Sequence, residues 1–221
     1  MTQGTVIELE ADDGHRLAGW LAEPEAPRAG VVILQEIFGV NAHIRALVER
    51  YAAHGYRALA PALFDRAERG VELGYDQVEA GRSIVAGLDL EKVVMDIAAA
   101  TDRAQFGNGV AVVGYCWGGA LAYVAAGELP VDCAVDYYGT RVLEWLQRRP
   151  HCPVLFHFGA DDPTLPPAAV QRIGAANSHC PAYVYPGAGH GFNCDQRASY
   201  HAESAALAEQ RTLEFIARYT G

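Results

Sequence analysis

Residues 110–120 read Val110-Ala111-Val112-Val113-Gly114-Tyr115-Cys116-Trp117-Gly118-Gly119-Ala120. A continuous apolar run, as expected of a strand buried on both faces, gives way to a helix-like apolar stretch over residues 117–126. One glycine stands two residues before the cysteine and another two after it. This is the G-x-nucleophile-x-G elbow with cysteine in place of serine. The spacing has a steric cause, since the nucleophile sits in a strained turn where flanking side chains would collide with the neighbouring strand and helix. The turn also puts the sulfur at the N-terminus of the following helix, where the macrodipole favours thiolate. The plainer reading is a structural cysteine between two packing glycines.

A nucleophile needs a base and an orienting acid, which in an elbow fold follow in the chain order nucleophile, acid, histidine. After the strand-like residues 154–158 come Asp161 and Asp162, at the strand end where α/β sites are built. Asp162 is favoured, with Asp161 as its rival. His190 lies in the glycine-rich loop Gly187-Ala188-Gly189-His190-Gly191, ahead of the last helix-like segment. An acyl-transfer site also needs an oxyanion hole. One donor is the backbone N–H after the nucleophile, here Trp117; the other comes from the loop Gln35-Glu36-Ile37-Phe38-Gly39, which offers the Ile37 N–H. Glu36 follows a wholly apolar strand at the site-facing end, beside the expected thiolate. Its alternative is an ordinary exposed loop glutamate.

Working outward, strand-like and helix-like patterns alternate with little linker between them. Thr5–Glu10 and Arg16–Ala22 form a hairpin around Asp12-Asp13-Gly14. Residues 31–34, 56–60, 110–113, 131–136, 154–158 and Ala182–Tyr185 read as further strands. Asn41 caps a helix to about His54, with Ile44, Leu47, Val48 and Tyr51 on one face and Gly55 as its stop. Other helices are expected over 88–104, 117–126, 143–148, Pro167–Ala176 and 199–219. Residues 63–86 are the least regular and suit a cap or substrate loop. The alternation implies a single α/β domain over 1–221, with a mostly parallel sheet of about eight strands and helices on both faces.

Composition narrows the function. The chain has 221 residues and a net charge of −10, and Lys92 is its single lysine. A nucleic-acid binder needs a basic footprint, and no polybasic membrane patch exists either. The start, Met1-Thr2-Gln3-Gly4-Thr5-Val6-Ile7-Glu8, carries no positive leader. Residues 109–127 run without a charge, long enough to mimic a membrane span, but the glycines at 109, 114, 118 and 119 interrupt them. Five cysteines, at 116, 133, 152, 180 and 194, are too sparse for a disulfide framework and point to a reducing, cytoplasmic setting. His151-Cys152, His179-Cys180 and His190 with Cys194 lack metal-site spacing, so no metal is expected.

Four segments carry a resemblance: Gln35-Glu36-Ile37-Phe38-Gly39-Val40-Asn41, Gly114-Tyr115-Cys116-Trp117-Gly118-Gly119-Ala120, Gly189-His190-Gly191-Phe192, and the closing Ala205 to Phe215. Together they resemble the dienelactone hydrolase family over essentially the whole chain. The resemblance implies a monomeric, cofactor-free α/β-hydrolase fold with a Cys116–Asp162–His190 triad, and it selects Asp162 over Asp161. It also implies that Glu36 restrains and then accepts the thiol proton. The namesake enzymes open the enol-lactone ring of dienelactone and hold its carboxylate with two arginines. Here those positions are Cys194 and Val78, with Arg82 and Arg197 nearby in sequence as substitutes. The expected activity is cysteine-dependent hydrolysis of small esters or lactones. The alternatives are a general carboxylesterase, a non-catalytic thiol sensor of oxidants and, less well supported, a cysteine peptidase.

Overall fold

The apolar run around Cys116 becomes strand β5 (Val110–Tyr115), buried along its whole length. Its neighbours β3 (Ala29–Leu34), β6 (Cys133–Tyr137) and β7 (Val154–Gly159) are buried throughout as well. Strands of this kind need cover on both faces. A computed structural model of the chain describes residues 3–220. Met1 and Thr2, part of the segment read above as carrying no leader, lie outside the described residues, as does Gly221.

The sheet has eight strands. The hairpin β1 (Thr5–Glu10) and β2 (Arg16–Ala22) forms one edge, β4 (Tyr56–Pro61) follows, and β8 (Ala182–Tyr185) forms the other edge. The spatial order is β1-β2-β4-β3-β5-β6-β7-β8. β2 runs antiparallel to both β1 and β4, and every pairing from β4 to β8 is parallel. With the elbow directly after β5, this is the α/β-hydrolase fold.

Among the described residues there are six helices, most of them packed on the sheet. α3 (Leu90–Ala104) packs beside α4 (Trp117–Glu128) on one face. α1 (Ala42–Ala53) and α6 (Ala202–Thr220) share the other, joined by an Arg50–Glu209 ion pair at 3.3 Å. α5 (Pro167–Ala176) matches its expected bounds. Asn41 Oδ1 accepts from the Ile44 N–H, and Gly55 takes a φ of +88° beyond the end of α1, so both expected signals act. α4 is buried from Trp117 to Ala126, which explains its membrane-like composition. No helix among the described residues is long and apolar enough to cross a membrane.

Three expectations are corrected. α3 starts at Leu90 rather than at residue 88, because the Asp89 carboxylate caps the N–H groups of Glu91 and Lys92. Residues 143–148 do not form an α-helix. A three-residue 3-10 turn, Val142–Glu144, stands there, and its backbone bonds, together with Arg148 N to Trp145 O, close three residues back. Arg141 and Glu144 pair across this turn at 2.6 Å, a spacing that the three-residue period of a 3-10 turn brings face to face. Residues 63–86 hold more order than expected, with a 3-10 turn at Leu63–Arg66 and helix α2 (Val78–Gly87). Gln77 makes no side-chain cap for α2, and glycines at 74, 81 and 87 hide it from propensity.

The elbow depends on bare backbone. A Cβ at Gly114 would lie 1.8 Å from the Gly118 carbonyl oxygen. Gly114→Ala is therefore expected to destabilise the fold by about 3 kcal/mol or more, at the upper end of overpacking effects. Urea unfolding followed by circular dichroism measures this, and a shift below about 1 kcal/mol would show that the elbow can give way.

Candidate active site

Cys116 occupies the turn between β5 and α4 with φ 56° and ψ −115°, a backbone region that L side chains rarely adopt. Its N–H donates to the Tyr137 carbonyl at 2.9 Å, so β6 pins the turn. A Cβ at Gly118 would lie 2.3 Å from the Leu34 carbonyl oxygen, and one at Gly119 2.3 Å from the Asp136 carboxylate. The glycines on the helix side thus let α4 approach β3 and β6 closely enough to hold the cysteine at the sheet's C-terminal edge.

The side chains picked from the sequence converge there. His190 Nε2 lies 3.2 Å from Cys116 Sγ, and His190 Nδ1 lies 2.8 Å from Asp162 Oδ2. Asp162 is buried, whereas Asp161 is exposed and only its backbone bonds, to the Ala188 carbonyl. Burial pushes the Asp162 carboxyl upward, but the His190 hydrogen bond and charge, with two bonds from Thr164, outweigh it and hold the carboxyl below its ordinary value. Burial likewise works against charge on His190. The Cys116 charge and the bonds to Asp162 and Cys116 outweigh it, and the imidazole is raised above its ordinary value. The imidazole is therefore held toward its protonated form beside Asp162.

Thr164 was not read from the sequence. Its N–H and Oγ1–H both donate to Asp162 Oδ1, at 2.8 and 2.5 Å, and its Oγ1 lies 3.2 Å from His190 Nδ1. The signal was present in Asp162-Pro163-Thr164, a turn whose aspartate accepts from the backbone two residues on.

The loop after β3 supplies the other half. Neither the Ile37 nor the Trp117 N–H has a protein acceptor among the described residues, and both residues line the cavity that holds Cys116 and His190. A Cβ at Gly81 would lie 2.1 Å from the Ile37 carbonyl oxygen, so α2 buttresses this loop directly. Glu36 is 1% exposed, which overturns the exposed-loop alternative. Its Oε1 accepts from Arg197 Nη1 at 3.3 Å, and its Oε2 has no partner among the described residues. The thiol's hydrogen-bond partner is His190 and not Glu36.

The cavity measures about 720 Å³, the size of a small-molecule site. Phe38, Val78, Val85, Ala86 and Trp117 give it apolar walls, and Arg82 and Arg197 both reach it. Arg197 also lies over the Phe38 and Tyr75 rings. Arg82 is mostly exposed and pairs with Glu79. Thr140 and Arg141, just past β6, line the cavity too and were not anticipated; their only signal is their place beyond a strand's C-terminal end. A smaller cavity of about 350 Å³ beside Trp20, Phe64 and Val71 holds none of Cys116, Asp162 and His190.

Residues 17–220 match the dienelactone hydrolase family. The chain belongs to that family. It is 37% identical to the carboxymethylenebutenolidase of Pseudomonas putida, over 98% of this chain and 97% of that one, and equally so to the enzyme of Pseudomonas knackmussii. A solved Klebsiella pneumoniae structure assigned to the dienelactone hydrolases superposes with a TM-score of 0.84 at 30% identity, covering 98% of this chain and 99% of that one. The protein is accordingly a hydrolase acting on ester or lactone bonds. Within the dienelactone hydrolase frame, Cys194 is buried and donates to the Tyr75 hydroxyl at 3.1 Å, while Arg197, one tight turn further on, turns back to the cavity.

The contribution of Cys116 to the raised His190 imidazole generates a test that needs no substrate. In Cys116→Ala the sulfur's charge is gone and burial is less opposed. His190 is expected to titrate at lower pH than in the wild type, read from its ring proton by NMR. An unchanged titration would mean that the two groups do not share a charge.

Proposed function

We propose that this hydrolase cleaves small carboxylic esters or lactones through a thioester acyl-enzyme formed on Cys116. The observation that carries the reading is the unbroken line from Asp162 through His190 to Cys116, at 2.8 and 3.2 Å. Cys116 Sγ attacks the carbonyl carbon, and the oxygen takes up charge against the Ile37 and Trp117 N–H groups. His190 gives its proton to the departing alkoxide, leaving a thioester. His190 then removes a proton from water, the resulting hydroxide attacks the thioester carbonyl, and the thiolate leaves. Asp162, fixed by Thr164, keeps the imidazole Nδ1–H pointed inward. The chain works as one domain and as a monomer, with no cofactor entering any step.

Glu36 acts on the thiol's charge. A buried carboxylate near a thiol disfavours thiolate and offers a second proton acceptor. Its tie to Arg197 gives substrate a handle, because a carboxylate arriving at Arg197 competes with Glu36 for the guanidinium. Arg197 and Arg82 are the groups that would hold a substrate carboxylate on this side.

Aryl acetate hydrolysis tests the reading. Cys116→Ala should remove turnover with the fold intact by circular dichroism. Asp162→Asn should lower kcat by a factor on the order of 10²–10⁴, as when a triad loses its orienting carboxylate, and Asp161→Asn only slightly. The reverse order would give the acid's role to Asp161. No turnover in the wild type on any ester or lactone would leave the thiol-sensor reading in its place.

Glu36→Gln separates the carboxylate's two roles. Faster alkylation of resting Cys116 by iodoacetamide, together with slower ester turnover, is the expected pair of results. No change in either would make Glu36 a structural partner of Arg197 alone.

A further inference from the structure

The cavity's lining carries three guanidinium groups, Arg82, Arg141 and Arg197, and no carboxylate, in a chain whose net charge is −10. Such a concentration of one sign in an apolar-walled cleft focuses potential on an anion. The three do not form one cluster. Cys116 stands at the end of β5, between β3 and β6. Arg197 lies against Phe38 beyond β3, and Arg82 follows Gly81, whose backbone presses on Ile37. Arg141 comes from the opposite side, beyond β6, with Thr140 beside it on the cavity wall.

We infer that Arg141 and Thr140 form a second anion subsite, so that the preferred substrate carries a carboxylate on each side of the scissile carbonyl. This rests on the hydrolase reading above and narrows its substrate to dicarboxylate esters or lactones. Arg197 already has its charge answered by the buried Glu36. Arg141 does not: its partner Glu144 is 54% exposed and lies three residues along the same turn. Exposed pairs of that kind are worth little, and a carboxylate entering a partly dry cavity displaces one readily.

The turn that presents Arg141 is built rigidly. Tyr138 is a buried, non-glycine residue with φ 46°. The Gly139 N–H donates to the buried Asp136 carboxylate at 2.7 Å, and a Cβ at Gly139 would lie 2.4 Å from it. Tyr137, one residue earlier, accepts the Cys116 N–H. One strand end therefore sets the position of both the nucleophile and the Arg141 turn. Strain of this sort persists where the surroundings over-determine it and is concentrated at functional sites.

Binding of glutarate, adipate and the monocarboxylate butyrate, measured by calorimetry and by inhibition of aryl acetate hydrolysis, tests the subsite. Glutarate or adipate should bind at least tenfold more tightly than butyrate. Arg141→Gln should bring the better dicarboxylate to within about twofold of butyrate, and Arg141→Lys should keep part of the difference. Glu144→Gln, which frees Arg141, should tighten dicarboxylate binding severalfold and leave butyrate unchanged. Arg141→Gln weakening all three ligands equally, or none, would overturn the subsite. Calorimetry separates the two readings: dicarboxylates binding through Arg141 without ester turnover would sink the hydrolase mechanism alone, and turnover without a dicarboxylate preference would sink the subsite alone.

Discussion

Cys116 is held in a backbone conformation costing of the order of 1–3 kcal/mol for a residue with a side chain, and the architecture around it is arranged to enforce that state. Tyr137 accepts its N–H from β6. The Gly118 N–H donates to the Gln35 carbonyl at 3.1 Å, tying the start of α4 to the end of β3. That second bond has a chemical consequence. Gln35 leads directly into Glu36 and Ile37, so the bond that closes the elbow also fixes the distance between the Trp117 and Ile37 N–H groups. On the proposed mechanism, Cys116 and the two N–H donors act as one rigid unit because the same backbone contacts place both, and catalysis by fixed dipoles needs that rigidity.

The buried Glu36–Arg197 pair works differently. Glu36 loses nearly all its water and receives one hydrogen bond in return. Taking a carboxylate out of water costs several kcal/mol, and a single partner with an orphaned second oxygen does not fully restore it. Such a pair is a poor stabiliser. On the proposed function it is charge held ready in the site, joining the β3 loop to the loop after β8. The effect on nearby acids is visible at Cys194, whose thiol is pushed up to about 11, mainly by burial and with Glu36 adding to it.

Much of this was legible from one chain. Period and punctuation marked all eight strands, and the Asn41 cap and the Gly55 stop behaved as their chemistry dictates. Cys116, Asp162 and His190 could be found because each sits at a fixed offset from a strand end. What escaped shares a physical cause. Helix α2 has no side-chain cap and owes its place to Gly81 resting on the Ile37 carbonyl, a tertiary contact that local sequence does not encode. Thr164 and Arg141 reach the site from turns, where identity is unrestricted and only the fold decides what a side chain meets. The helix expected over 143–148 failed for a related reason: helix-forming residues were present, but the segment closes into a 3-10 turn that local sequence does not mark.

The resemblance to the family expects an arginine at residue 194, where this chain has Cys194, and Arg197 shows how sequence position and spatial position can part company. Cys194 N bonds to the Gly191 carbonyl and Arg197 N to the Cys194 carbonyl, so the segment winds in successive tight turns after His190. A step of three residues along it amounts to about one turn, and it brings Arg197 back over the cavity. Gly191 makes this possible, since its φ is +75° and a Cβ there would lie 2.5 Å from Arg197 Nη1. The glycine after the histidine thus serves the guanidinium as well as the turn. On the proposed function, a carboxylate-holding group can therefore stand three residues further along the chain and still reach the cavity, provided the backbone between it and His190 is bare enough to let it pass.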